Sequence, residues 1–192
     1  MTALGLALAL LGATAGESAI EVKVVVKGMS CESNCGSVVT KALQGLSGAA
    51  DVKLACFDSG VFTLKLDPKQ PVKPSAIAKA VGGRFQVVRV EATLTGTVTA
   101  GEKDALTLET AGGAKYALVA LPKSEPAKAD APKKDEKTCE GAACEEALGK
   151  IRAMLKEKKD RVRVTGLIGE CCEGELALAA TKAEPAEAKK ID

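Results

Sequence analysis

The order of strand-like and helix-like segments in the first half of the chain constrains the fold most. Four segments have the alternating or β-branched pattern of strands, and they cover residues 20–28, 51–57, 61–67 and 84–92. Two segments have apolar residues at helical spacing: one starts at Cys35 and is closed by Gly48, and the other covers residues 74–81. The resulting order, βαββαβ, predicts an α+β unit in which an antiparallel sheet carries two helices on one face.

The second half of the chain has a different pattern. Residues 92–121 predict three short strands, and a charged insertion rich in Pro, Lys and Ala follows at 122–138. Apolar residues at helical spacing predict a helix from about Glu145 to Lys158. Two further strands are expected at residues 161–169 and 175–181. This half is therefore expected to be mainly β-structure with one helix.

Two glycines suggest how these strands are arranged. Gly96 and Gly166 each lie inside a strand-like stretch, where glycine often marks the tight bend of a small barrel. Five strands with a helix before the fourth resemble an oligonucleotide/oligosaccharide-binding (OB) barrel, although this likeness of pattern implies no ligand. We therefore expect a small OB-like β-barrel domain over residues 92–182, followed by a disordered tail over residues 183–192.

Composition excludes several classes of function. The 192 residues contain no histidine, which removes histidine general bases, Ser-His-Asp and Cys-His nucleophiles, and histidine-ligated metal sites. No carboxylate pair has a context that supports hydrolysis, so we expect no enzyme. Aromatic residues make up 2% of the chain and the net charge is +2, so stacking platforms and a basic surface for nucleic acid are both missing.

The N-terminus has the pattern of an export signal. Residues 2–15 are apolar and end in Ala13-Thr14-Ala15, the A-x-A form of a cleavage site. This stretch is too short to span a bilayer comfortably. We expect a signal peptide over residues 1–15 and an exported mature protein, periplasmic or secreted, with no membrane span after its removal. Disulfides can form in such a compartment.

The sequence GMSCESNC (28–35) brings two thiols, Cys31 and Cys35, to the turn between the first strand and the first helix. A free helix N-terminus favours a negatively charged thiolate, and soft metal ions bind thiolates. The same pair could instead form a structural or redox disulfide, or do neither. The residues alone leave these alternatives open.

The first half resembles the heavy-metal-associated (HMA) domain of copper chaperones, metal-pumping ATPases and periplasmic mercury-binding proteins. The family signature, Gly-Met-x-Cys-x-x-Cys after the first strand, is matched by Gly28, Met29 and Cys31. Counted from Cys35, the first-helix core and the closing glycine of the family are matched by Val39, Leu43, Leu46 and Gly48. The chain departs from the family in having three residues, Glu32-Ser33-Asn34, between the cysteines. Because both flanks stay in register, we expect the extra residue to bulge within the loop.

The resemblance implies a ferredoxin-like HMA domain over residues 19–91 with Cys31 and Cys35 as metal ligands. It further implies a non-catalytic protein that buffers or transfers Cu(I), with Hg(II), Zn(II) or Cd(II) as other possible ions. The partner would be another metal-transport protein that takes the ion by thiol ligand exchange. It also implies that Met29 packs under the loop and is not a ligand.

The remaining cysteines have other expected roles. Cys56 is in phase with Val52 and Leu54, so we expect it to be buried. Four thiols lie beside glutamates in the second half, at Cys139, Cys144, Cys171 and Cys172. They could form disulfides that join the first two to the last two, form a second soft-metal site, or stay unpaired.

Two alternative functions stay open at this point. One is an exported thiol/disulfide redox protein. The other is a structural adaptor whose metal loop is degenerate, and the extra residue between Cys31 and Cys35 is the feature that supports it.

Overall fold

The computed structural model describes residues 19–101, 105–120, 141–170 and 175–186, without the side chains of residues 141–144. Its strands are β1 (Ile20–Lys27), β2 (Ala49–Cys56), β3 (Val61–Leu66), β4 (Gln86–Ala100), β5 (Leu106–Thr110), β6 (Lys115–Val119), β7 (Arg161–Glu170) and β8 (Leu176–Pro185). Its helices are a π-helical turn (Glu32–Gly36), α1 (Ser37–Gln44), α2 (Pro74–Val81) and α3 (Gly141–Lys156). The order of elements in the first half is the predicted one.

The first four strands form an antiparallel sheet around β1. Strand β1 pairs with β3 on one side and with β4 on the other, and β2 pairs with the outer edge of β3. Alternate residues of β1 are buried, and they share one hydrophobic core with Val39 and Leu43 of α1 and with Ile77 and Val81 of α2. Both helices therefore cover the same face of the sheet. The π-helical turn that leads into α1 follows the end of β1.

Strand β4 is a single strand of 15 residues that belongs to both halves of the molecule. Its first part pairs antiparallel with β1, and its second part pairs antiparallel with β5. Strand β7 pairs with residues 91–97 of β4. The strand predicted over 84–92 and the first strand predicted after it are therefore continuous, because the β-branched pattern is not interrupted by a turn.

The second half closes into a five-stranded barrel. Strand β4 pairs with β5, β5 with β6, β6 with β8, β8 with β7, and β7 again with β4. All of these pairs are antiparallel except β6–β8, which is parallel. Helix α3 packs on β8 and buries Ala147, Leu148 and Ile151 in the common core. The protein is thus an α+β protein with a closed small barrel.

The two predicted strand glycines lie where neighbouring backbones come very close. A Cβ atom at Gly96 would overlap the carbonyl of Glu109, and one at Gly166 would overlap the carbonyl of Ala179. Gly96 belongs to β4, and Gly166 belongs to β7, where the pairing with β8 shifts register. At both positions, only glycine fits without movement of the neighbouring strand.

Direct contacts join the two halves. The hydroxyl of Tyr116, which is fully buried, accepts a 2.8 Å hydrogen bond from the backbone N–H of Val72. Burial raises the pKa of Tyr116, and the hydrogen bond from Val72 opposes this effect. The hydroxyl of Ser75 on α2 donates to the Glu170 carboxylate on β7 at 2.9 Å. The barrel therefore contacts the segment that leads into α2.

Some predicted segments lie partly or wholly outside the residues that the structure describes. The tail expected from residue 183 was placed too early, since β8 extends to Pro185 and Pro185 pairs with Val162. The predicted signal peptide (1–15) and the insertion (122–138) lie outside the described residues. Among the described residues, none of the helices combines the length and apolarity needed to cross a bilayer.

Candidate metal centre

The segment from Gly28 to Gly36 positions the candidate site. Gly28 has φ +92, a left-handed conformation that glycine adopts readily, and it ends β1. Cys31 is extended, with φ −151 and ψ 133, and it caps the π-helical turn. Cys35 lies within that turn, and its N–H donates to the Cys31 carbonyl at 3.1 Å. The backbone thus changes from extended at Cys31 to helical at Cys35.

The π-helical turn is where the extra residue is accommodated. A π-helical turn contains one more residue than an α-helical turn and is often a single insertion before or within an α-helix. Here it covers Glu32–Gly36 and continues directly into α1. The predicted bulge in the loop was therefore wrong in its location, because the first helical turn widens instead. The three spacer residues with both flanks in register showed that one extra residue had to be accommodated, but they did not show where.

Two further contacts fix this turn. The hydroxyl of Ser37 donates to the Ser33 carbonyl at 2.6 Å. Gly36 is buried, and a Cβ atom there would lie 3.0 Å from a methyl carbon of Leu54 on β2. A side chain at position 36 would therefore require Leu54 to move. The turn is seated against the edge of the sheet.

The two sulfurs converge. The Sγ atoms of Cys31 and Cys35 are 3.2 Å apart, and both side chains are partly exposed. A disulfide requires about 2.05 Å between the sulfurs. A linear S–metal–S unit requires about 4.6 Å, if each bond is about 2.3 Å long. The pair is a dithiol whose spacing lies between these two distances.

The electrostatics of the turn favour a thiolate at Cys35. The backbone N–H of Ser30 has the largest effect, and the thiol and backbone of Cys31 add to it, so that the pKa of Cys35 falls from 9.0 to about 7. The hydroxyl of Ser30 also lies 3.8 Å from the Cys35 sulfur. The thiolate of Cys35 is therefore much more populated at neutral pH than that of an ordinary cysteine. Sequence reasoning attributed this effect to the helix N-terminus and missed the Ser30 amide.

Residues around the pair are packed as expected. Met29 is half-buried and packs against the hydrophobic core, which confirms its predicted packing role. Gly60, in the β2–β3 turn, has φ +63 and accepts a 2.9 Å hydrogen bond from the Val26 N–H. A Cβ atom at Gly60 would lie 3.4 Å from the Met29 methyl carbon. The β2–β3 turn therefore lies beside Met29, the residue before Ser30.

Cys56 was predicted to be buried, and this was wrong. It is exposed, at the last position of β2. The pairing of β2 with β3 shifts register between Leu54 and Cys56, and this irregularity removes Cys56 from the alternation that Leu54 follows. Hydrogen bonds from the Ser59 side chain and backbone lower the pKa of Cys56.

Cys139, Cys171 and Cys172 lie outside the described residues, as does the side chain of Cys144. Within the described part of the chain, no three cysteine, aspartate or glutamate side chains are grouped so that they could hold a metal ion. There, the site consists of the two thiols alone.

Comparisons with known proteins add no relative. No protein-family model matches the sequence. A search of curated proteins finds no similar chain. The resemblance to HMA domains therefore depends only on the residue pattern of the first half.

Proposed function

We propose that this protein is a non-catalytic binder of a soft metal ion, with Cu(I) favoured, that buffers or transfers the ion through Cys31 and Cys35. The observation that carries this proposal is the 3.2 Å approach of two partly exposed sulfurs at the β1–α1 turn. The lowered pKa of Cys35 supports it, because the thiolate is the form that binds metal. The absence of histidine from the chain leaves sulfur as the soft ligand.

The architecture supports the finer assignment of each half. The order βαββαβ, with strand order β2-β3-β1-β4 and antiparallel neighbours, agrees with a ferredoxin-like HMA domain. The barrel has strand order 1-2-3-5-4 with a helix after its third strand, which agrees with an OB-like fold. We further propose that the mature protein is exported, on the basis of the N-terminal sequence pattern.

The geometry suggests how the ion is loaded and released. The sulfurs must separate by about 1.4 Å to hold an ion in a linear arrangement, given bonds of about 2.3 Å. Cys31 is extended and precedes the helix, so it can move without breaking the hydrogen bonds of α1. Both side chains are partly exposed, so a thiol of a metal-transport partner can reach the ion and exchange ligands.

A Cu(I) titration tests the proposal. The reduced full chain is titrated anaerobically with Cu(I) against a chromophoric chelator of known affinity. We expect the variant Cys31→Ser/Cys35→Ser to bind one ion fewer per chain than the wild type. The matched control is Cys56→Ser, which removes an exposed thiol outside the pair and should bind as the wild type does. Equal stoichiometry and affinity in the wild type and the double variant would refute the proposal.

The same geometry favours one alternative, a thiol/disulfide redox protein. Two sulfurs 3.2 Å apart with one low pKa are also suited to disulfide exchange. This alternative predicts catalytic disulfide exchange with a thiol reductant. It also predicts that the protein loses its capacity to bind Cu(I) under conditions that leave the pair oxidised. An apo protein that gives no turnover would remove the alternative.

A further inference from the structure

The resting distance between the two sulfurs defines the bond angle that they offer to a bound atom. With bonds of about 2.3 Å, a separation of 3.2 Å corresponds to an S–X–S angle of about 90°. A tetrahedral ion requires about 3.8 Å between two sulfurs, and a linear one about 4.6 Å, for the same bond length. The dithiol as folded therefore fits an atom that forms bonds at right angles.

Trivalent arsenic and antimony form such bonds. Each has three bonds in a pyramid, because a lone pair occupies the fourth direction, and the angles between bonds to sulfur are close to a right angle. Both elements are soft and bind thiolates. We propose that Cys31 and Cys35 form a binding site for a trivalent metalloid, with arsenite as the representative ligand.

The binding reaction needs no oxidant or reductant. Arsenous acid, As(OH)₃, reacts with the two thiols to give a dithioarsenite, (RS)₂As–OH, and two molecules of water. Two As–S bonds form, two As–O bonds break, and each leaving hydroxide takes one thiol proton. Arsenic stays trivalent throughout. The remaining hydroxyl is directed away from the two sulfurs, which are partly exposed.

Contacts around the turn order the backbone that carries the two sulfurs. The hydrogen bond from the Cys35 N–H to the Cys31 carbonyl, at 3.1 Å, links the backbones of the two ligands. Cys35 also packs against the hydrophobic core, and Gly36 lies against Leu54. Cu(I) in a linear arrangement requires the two sulfurs to move apart by about 1.4 Å, whereas a metalloid binds them at their resting distance. The inference uses the same dithiol as the proposed function but does not require transport of Cu(I).

The test uses the reduced full chain, with arsenite and phenylarsine oxide as probes. We compare the wild type with Cys31→Ser, Cys35→Ser and the control Cys56→Ser, and we count free thiols and arsenic bound per chain. In the wild type and the control, we expect one bound arsenic to remove two thiols from the free-thiol count. Each single variant lacks one of these two thiols, so it does not offer the pair. Loss of either sulfur removes chelation, so we expect affinity at this site to fall by roughly 10²–10⁴-fold. X-ray absorption at the arsenic edge should show two sulfurs and one oxygen.

The outcomes separate this inference from the proposed function. Equal arsenic binding by the wild type and by the Cys31→Ser and Cys35→Ser variants overturns the inference, whatever the Cu(I) titration shows. Arsenic bound by three sulfurs also overturns it. Arsenic binding that depends on both cysteines, in a protein that binds no Cu(I) at this pair, supports the inference and refutes the proposed function. If neither probe depends on the pair, both fail.

Discussion

The reactivity of Cys35 should depend on one backbone N–H, that of Ser30. At pH 7 a thiol of pKa 9.0 is about 1% ionised and one of pKa about 7 is about half ionised, so the thiolate fraction differs about 50-fold. A thiolate of lower pKa is intrinsically less nucleophilic, with a Brønsted coefficient of about 0.4–0.5, which reduces this advantage by roughly 6–10-fold. We therefore expect Cys35 to be alkylated several times faster at pH 7 than an ordinary thiol.

The perturbation is Ser30→Pro, which removes the N–H that has the largest effect on the pKa of Cys35. Ser30→Ala is the matched control, because it removes the hydroxyl at 3.8 Å and keeps the N–H. The assay is iodoacetamide alkylation across pH 5–10, with Cys35 followed by mass spectrometry of its peptide. We expect a midpoint near 7 in the wild type, a small change in Ser30→Ala, and a clear rise in Ser30→Pro. Identical profiles in the two variants, with unchanged circular dichroism, would refute the role of the Ser30 N–H.

Two further predictions concern the fold. Gly166→Ala should destabilise the protein by about 1–3 kcal/mol in urea unfolding, because the new methyl group meets the Ala179 carbonyl. Gly169→Ala on the same strand, which has open space around it, should stay within about 0.5 kcal/mol of the wild type. Tyr116→Phe leaves the buried Val72 N–H without its partner, so we expect a loss of about 1–3 kcal/mol. A calorimetric melting temperature for Tyr116→Phe equal to that of the wild type would contradict this account.

The regular parts of the fold were predictable from hydrophobic period and turn residues. The order of elements in the first half, the bounds of α2 and the two barrel glycines follow from local signals that the structure leaves unchanged. The continuity of β4 was missed. Residues 84–100 contain no turn signal, but they were nevertheless divided into two strands at residue 92. The parallel pairing of β6 with β8 has no local signal, because it joins segments that are distant along the chain. The relation to HMA domains stays a prediction.

The exposure of Cys56, which was predicted to be buried, shows why alternation alone misleads at a sheet edge. Val52 and Leu54 are partly buried, and a strict period of two places Cys56 with them. Strand β2 has a neighbour on one side only, so it can shift register at low cost, and it does so twice in eight residues. Period arguments are therefore safer for β1, which has neighbours on both sides, than for β2.

The spacing of Cys31 and Cys35 raises a related difficulty at the candidate site. With three residues between the cysteines, one extra residue must be accommodated. It could lie in the loop, at the helix cap or in the helix, and each position gives a different distance between the sulfurs. The extra residue is accommodated in the π-helical turn. There the Cys35 N–H donates to the Cys31 carbonyl, and the two sulfurs lie 3.2 Å apart. The angle offered to a ligand is thus determined by where helical hydrogen bonding begins, and not by the number of residues between the cysteines. We therefore expect the ligand preference of the proposed site to follow from the fold, and a titration that compares linear and pyramidal ligands tests this expectation.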